Sequence, residues 1–181
     1  MKAVVQRVSD ASVSVDGVKT GQISFGLLVY VGVAADDETG DADWLVDKIT
    51  NLRIFDDAEG KMNHSLIDIV NNLNNKVIGM LGQDNNSLPP TSLNYTGILA
   101  ISQFTLLGDA RKGRRPSWSN AAPPEKAEML YDYFINTVRK QGLLCECGIF
   151  QARMKVSYTN EGPVTILLDS RESINRLNTC N

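Results

Sequence analysis

The strongest constraint on the fold of this chain is the run Leu27-Leu28-Val29-Tyr30-Val31-Gly32-Val33, introduced by Gly26. Apolar residues occupy both alternating positions, so a strand built from it has no face to offer water and must lie centrally, covered on both sides. Residues 2–8 and 11–16 supply neighbours: they carry β-branched side chains, and Val13 and Val15 alternate with Ser12, Ser14 and Asp16, the period of a half-buried strand. Asp16-Gly17 suits a type I′ hairpin turn into a strand around Val18–Ile23, so the first 33 residues read as all β.

A covering layer of helices follows. Thr39 or Asp41 is placed to cap a helix in which Leu45, Ile49 and Leu52 recur on one face, and which should end near Leu52 or Arg53. A second helix has Pro124 in its first turn, Ala127, Leu130, Phe134 and Val138 on one face, and Gly142 just past its end. Strands around 97–105, 143–150, 153–159 and 163–169 complete a mixed α/β domain. At 181 residues, 43% hydrophobic and 22% charged, the chain supports one core, read as a single domain over 1–170 with a polar C-terminal tail at 171–181. Residues 69–96, with Asn71, Asn72, Asn74, Asn75, Asn85, Asn86, Asn94 and Pro89-Pro90, read as a surface insertion whose composition disfavours regular structure.

Composition also excludes function classes. A formal charge of −3 argues against a protein that coats nucleic acid through massed Lys and Arg, although a local basic patch remains open. Cys145, Cys147 and Cys180 fit neither a disulfide framework nor a zinc ribbon, and the N-terminus lacks the continuous apolar stretch of a signal peptide. The expectation is therefore a reducing, cytoplasmic setting, with no membrane span. His64 is the single histidine, no GxSxG elbow occurs, and no Walker loop or GxGxxG opens a helix. Imidazole-based catalysis would have to use His64, which reads as a surface or turn residue, and metal chemistry and dinucleotide binding lack their residues.

Three features remain. In GILAISQFTLL the aliphatics Ile98, Leu99 and Ile101 give way to Ser102, Gln103 and Thr105. These read either as the exposed face of a strand or as hydrogen-bonding groups for a substrate carbonyl or ribose, and a hydroxyl without a base is a weak nucleophile. NEGPVT at 160–165 reads as a tight turn between strands, with an X-Pro bond that either isomer could occupy. GDARKGRRPSW crowds Arg111, Lys112, Arg114 and Arg115 into one loop before Trp118, which is either a solvated loop or a phosphate-contacting patch with an aromatic available for packing or stacking.

Taken together, MKAVVQRVSDASVSVDG, LRIFDDAEGKMN, SQFTL, GDARKGRRPSW, AEMLYDYF and VSYTNEGPVTILLD resemble the D-aminoacyl-tRNA deacylase (D-tyrosyl-tRNA deacylase) family over most of the chain. The resemblance implies a curled mixed β-sheet forming a partial barrel with helices packed outside. It implies a homodimer in which Gly162 and Pro163, joined by a cis bond, reach the partner subunit's site as a chirality gate that rejects L side chains and lets achiral glycine pass. The reaction it implies is hydrolysis of the ester between a D-amino acid and the terminal adenosine of tRNA, a proofreading step in translation quality control, with no cofactor and no metal. Ser102, Gln103 and Thr105 would be the catalytic group, with Thr105 as nucleophile or with the ribose 2′-OH assisting water. Phe104 would shape the pocket, Phe150, Ala152 and Met154 would line the adenine side or serve as alternating core residues, and Arg7 would lock Gly162-Pro163 or form a structural ion pair. Arg111, Lys112, Arg114 and Arg115 would meet acceptor-stem phosphates. The insertion at 69–96 departs from the family pattern. A non-catalytic tRNA-binding module on the same fold is the alternative reading, and an editing enzyme with a trans Gly-Pro bond is a third.

Overall fold

The computed structural model describes residues 1–81 and 95–172. Its backbone is one mixed sheet wrapped into a half-barrel, and the long first strand organises it. Strand β1 (Lys2–Val15) is continuous where the sequence suggested two pieces. Its first half pairs antiparallel with β3 (Phe25–Gly32) and its second half with β2 (Val18–Ile23). Asp16 and Gly17 join β1 to β2 with φ of 50° and 81°, the geometry of the expected type I′ turn. The other edge of β1 pairs along its length with β8 (Met154–Asp169). On the far side, β3 runs parallel to β6 (Thr96–Ser102), and β6 parallel to β7 (Leu144–Cys147).

Parallel neighbours require crossover connections, and the helices of those crossovers cover one face. Leu45, Val46 and Ile49 of α1 (Thr39–Asn51) and Leu130, Phe134 and Val138 of α3 (Pro124–Lys140) bury against Val5, Leu27, Val29, Val31, Ile98 and Ala100. The opposite face curls on itself, so Ile23 of β2 meets Leu99 and Ile101 of β6 beside Val8 and Val13 of β1. This explains the two-sided apolar run of β3, whose odd-numbered side chains enter one core while Leu28 enters the other.

Three expectations are corrected. The N-cap of α1 is Glu38, and Asp41 stands at the third helical position, its carboxylate accepting the Glu38 N–H at 2.9 Å. The Asn-rich segment opens as a helix, α2 (Leu66–Leu81). Ser65 and Asp68 cap it reciprocally, the Ser65 N–H and hydroxyl donating to Asp68 Oδ2 at 2.9 and 2.8 Å and the Asp68 N–H donating to Ser65 Oγ at 3.2 Å. Ile67, Ile69 and Val70 pack on the core while Asn71, Asn72, Asn74 and Asn75 stay exposed, where asparagine weakens a helix by only about half a kcal/mol per residue. Asn85, Asn86, Pro89-Pro90 and Asn94 lie outside the described residues. Just past β8, Ser170 is buried and donates its hydroxyl to Asp41 Oδ1 at 2.6 Å, and Arg171 pairs with Asp36. Residues 173–181, including Cys180, lie outside the described residues. Finally, NEGPVT is not a turn between strands. It sits inside β8, because β1 continues to pair on both sides of it: Val8 faces Asn160 and Gln6 faces Thr165, so residues 161–164 bulge out opposite Arg7. Among the described residues no helix is long and apolar enough to cross a membrane.

Candidate active site

The parallel strands β3 and β6 end side by side, and open sheets of this kind expose a crevice beyond their carboxyl ends. The Gln103 N–H donates to the Val31 carbonyl at 2.7 Å, which fixes where the chain leaves β6. It then tightens into a 3₁₀ helix, Phe104–Leu107. The chain past β3 is tied to the segment before α3: the Ala122 N–H donates to the Val33 carbonyl at 2.9 Å, and Ala34 bridges Ala121. Between these elements lies a cleft of about 650 Å³.

Ser102, Gln103 and Phe104 form one side of the cleft, and Phe150, Ala152 and Met154 line it from the β7–β8 connection and the start of β8. Val31, Val33, Ala122, Pro124, Ala127 and Tyr131 are among the residues that line the rest. Periodicity hid this last group, since their apolar spacing reads as ordinary core; only the parallel strand order turns them toward a common opening. Tyr131 is buried, its phenol donates to the Ala100 carbonyl at 2.8 Å, and burial raises its pKa, so it stays a neutral wall. Phe150 packs against it with ring centroids 6.1 Å apart. The lining is therefore apolar with a few convergent polar groups, the composition of a site for a nucleoside-sized ligand.

Thr105 stands apart from this lining. It is exposed on the 3₁₀ helix, and its hydroxyl oxygen accepts from Gln103 Nε2. Among the described residues no carboxylate or imidazole hydrogen-bonds to Ser102 or Thr105, so neither hydroxyl has a base to activate it. His64 lies on β5 (Met62–His64), paired with β4 (Phe55–Asp56), and is not among the cleft residues. The two cysteines among the described residues are no substitute: burial pushes the Cys145 thiol up to about 12 and raises that of Cys147, which keeps both protonated and unreactive near neutrality. Among the described residues no group of three or more His, Cys, Asp or Glu could share a metal ion.

Gly162 and Pro163 do not line the cleft of their own chain. They project, exposed, from the bulge of β8, and the bond between them is cis. Arg7 holds this bulge from beneath. Only 7% exposed, it donates through Nε to the Glu161 carbonyl at 3.3 Å and through Nη1 to the Ile54 carbonyl at 2.6 Å, and Nη1 also meets Asp56 Oδ1 at 3.3 Å. It is thus both an anchor and an ion-pair residue. A Cβ on Gly162 would stand 2.8 Å from Arg7 Nη2, so the guanidinium occupies the space a larger residue would need. Gln6, which sequence reading passed over, clamps both ends of the bulge. Its Oε1 accepts from Asn160 Nδ2 at 2.9 Å and from the Thr165 hydroxyl.

The basic loop is closed at its base by Asp109 and Ser117, whose N–H groups donate to each other's carbonyls at 2.8 and 2.9 Å. Arg111 is committed inside it, bonding Asp109 through Nε at 2.9 Å and Nη2 at 2.6 Å, and this fork holds the Asp109 carboxyl down at about 2. Lys112, Arg114 and Arg115 are exposed and form no ion pair among the described residues. The uncompensated charge of the loop is therefore three cations, not four.

A family model and relatives of similar sequence agree on one family. A family model described as D-Tyr-tRNA(Tyr) deacylase matches residues 4–169. The D-aminoacyl-tRNA deacylase of Kosmotoga olearia is 50% identical over 172 residues, covering 95% of this chain and 99% of that one. That of Geotalea uraniireducens is 48% identical over 176 residues, 97% of each chain. Among solved structures, a c-Myc DNA Unwinding Element Binding Protein is 36% identical with a TM-score of 0.73, covering 93% of this chain and 98% of that one. A probable eukaryotic D-amino acid tRNA deacylase, 16% identical with a TM-score of 0.65, shares the fold.

Proposed function

The chain belongs to the D-Tyr-tRNA(Tyr) deacylase family, and from that membership we propose that it hydrolyses the ester of D-aminoacyl-tRNA, releasing the D-amino acid and free tRNA. The observation that carries this reading is the cleft itself, an apolar nucleoside-sized space with Ser102 and Gln103 at its edge and, among the described residues, no base-activated nucleophile. The terminal adenosine enters between Phe150, Ala152 and Met154 on one side and Ser102 on the other. Its ribose 2′-OH assists the attacking water, which needs positioning more than it needs a protein nucleophile. Because the Gln103 N–H is taken by Val31, the oxyanion donors fall to the N–H groups of Phe104 and Thr105, at the start of the 3₁₀ helix where helical bonding leaves them free. A non-catalytic binding module is disfavoured by relatives at about half identity over the whole chain that are named as deacylases.

Chirality is read by Gly162 and Pro163. Their exposure outside the cleft of their own chain supports a reading in which they reach the cleft of a second copy of the chain. Leu167, 76% exposed on the same strand, offers apolar surface for that pairing. Lys112, Arg114 and Arg115 contact acceptor-stem phosphates, so affinity falls with added salt.

The test is hydrolysis of D-tyrosyl-tRNA beside L-tyrosyl-tRNA by the purified protein; release from neither ester, with tRNA still bound, defeats the reading. Thr105→Ala separates the mechanisms in the same assay. It is expected to keep kcat within about an order of magnitude, whereas removing a true nucleophile costs on the order of 10⁶-fold. Light scattering on the same preparation checks the dimer, and a monomer active at full rate would remove the gate from a second copy.

A further inference from the structure

We infer that Phe104 and Trp118 form a stacking step at the mouth of the cleft for the nucleobase that precedes the terminal adenosine, an inference that rests on the aminoacyl-tRNA reading above. The two rings meet edge to face, with centroids 5.3 Å apart and planes at 72°. Phe104 is also a wall of the cleft, so the pair is continuous with the adenosine site. Both rings remain open to solvent, Phe104 at 56% and Trp118 at 40% exposed. An edge-to-face pair leaves at least one ring with a flat face free, which is the surface a base needs.

Trp118 is not a loose surface side chain. Its carbonyl accepts the Ala121 N–H at 3.0 Å, and the preceding Ser117 is locked to Asp109 on both sides. The indole lies over Gly108, where an added Cβ would come within 2.5 Å of Cζ3. The ring is therefore held in place before any ligand arrives, and little ordering cost is left for binding. Lys112, Arg114 and Arg115 stand in the same loop, three to six residues before Trp118 in the sequence, exposed and free of ion pairs among the described residues. Fixed aromatic faces beside uncompensated cations are the combination by which proteins hold single-stranded nucleic acid: bases stack and cations follow the backbone. The acceptor end of tRNA is single-stranded, so once its last adenosine is in the cleft the preceding cytidine lies at the mouth, where the step stands.

The experiment compares D-tyrosyl esters of adenosine, of cytidylyl-adenosine and of whole tRNA, with wild type, Trp118→Ala and Trp118→Phe. Trp118→Ala is expected to raise KM roughly 5- to 100-fold for the dinucleotide and tRNA esters, with kcat unchanged. The adenosine ester, which carries no preceding base, should show no change, and Trp118→Phe should recover most of the loss. An equal rise for the adenosine ester would make Trp118 a mere support for the cleft and overturn the inference, as would an unchanged KM for the dinucleotide. Failure of wild type on all three esters overturns the deacylase reading itself, and this inference with it.

Discussion

Arg7→Ala is expected to lower stability by about 2–4 kcal/mol and to blur the preference for D over L esters together. The estimate follows from what the guanidinium touches. Its loss strands the buried carbonyl of Ile54, where an unpaired polar group costs about 1–3 kcal/mol, and gives up the part-buried bond to the Glu161 carbonyl, worth about 1 kcal/mol. Asp56 adds little, because it is half exposed and water can replace the cation. For a domain of this size the loss corresponds to a melting temperature lower by roughly 5–15 °C, readable by circular dichroism. The functional half follows from position: Arg7 is the side chain that holds the Glu161 carbonyl, next to the proposed gate, and fills the space under Gly162. Without it, the bulge is held at its ends by Gln6 but not at its middle. Arg7→Lys should rescue little, since a single ammonium cannot serve acceptors spread across a planar fork. A variant that melts like wild type and discriminates as well would show that Arg7 is only a surface-type ion pair.

Gly26→Ala should yield little or no soluble folded protein. Gly26, the second residue of β3, has φ of 132°, a conformation that side-chain-bearing residues rarely adopt. Its strand partner is Gly97 of β6, and an added Cβ would stand 2.0 Å from the Gly97 carbonyl oxygen. Backbone in the middle of a sheet cannot step aside as a flexible side chain can. Relief requires parting β3 from β6, the pairing on which both cores depend, and an effect above about 4–5 kcal/mol consumes most of the stability of an ordinary domain. Soluble yield and a thermal melt decide it, and a soluble variant melting within a few degrees of wild type would contradict this reading. Gly26 lies at the strand end opposite the cleft, so any activity lost here reports the fold, not the chemistry.

The sequence by itself determined the elements whose pattern is local. Apolar spacing placed α1, α3 and the buried strand β3, the Asp16-Gly17 pair gave the hairpin, and SQFTL with NEGPVT carried the family and hence the curled sheet. Tertiary structure decided what depends on a distant partner. Gly162-Pro163 looked like a turn because that is its local preference, yet β1, some 150 residues earlier, pairs on both sides of it and holds it as a bulge. Asparagine content argued against α2, but the Ser65–Asp68 cap and the apolar face of Ile67, Ile69 and Val70 outweigh a weak intrinsic preference. Residue type could not separate Thr105 from Ser102: the tightening of the chain after β6 leaves one hydroxyl outside the cleft and the other at its edge. Nor could it show that Asp109 neutralises Arg111 while three neighbouring cations form no ion pair among the described residues. Periodicity records which face of an element is apolar, whereas the identity of the group that meets that face is set by pairing across the sheet.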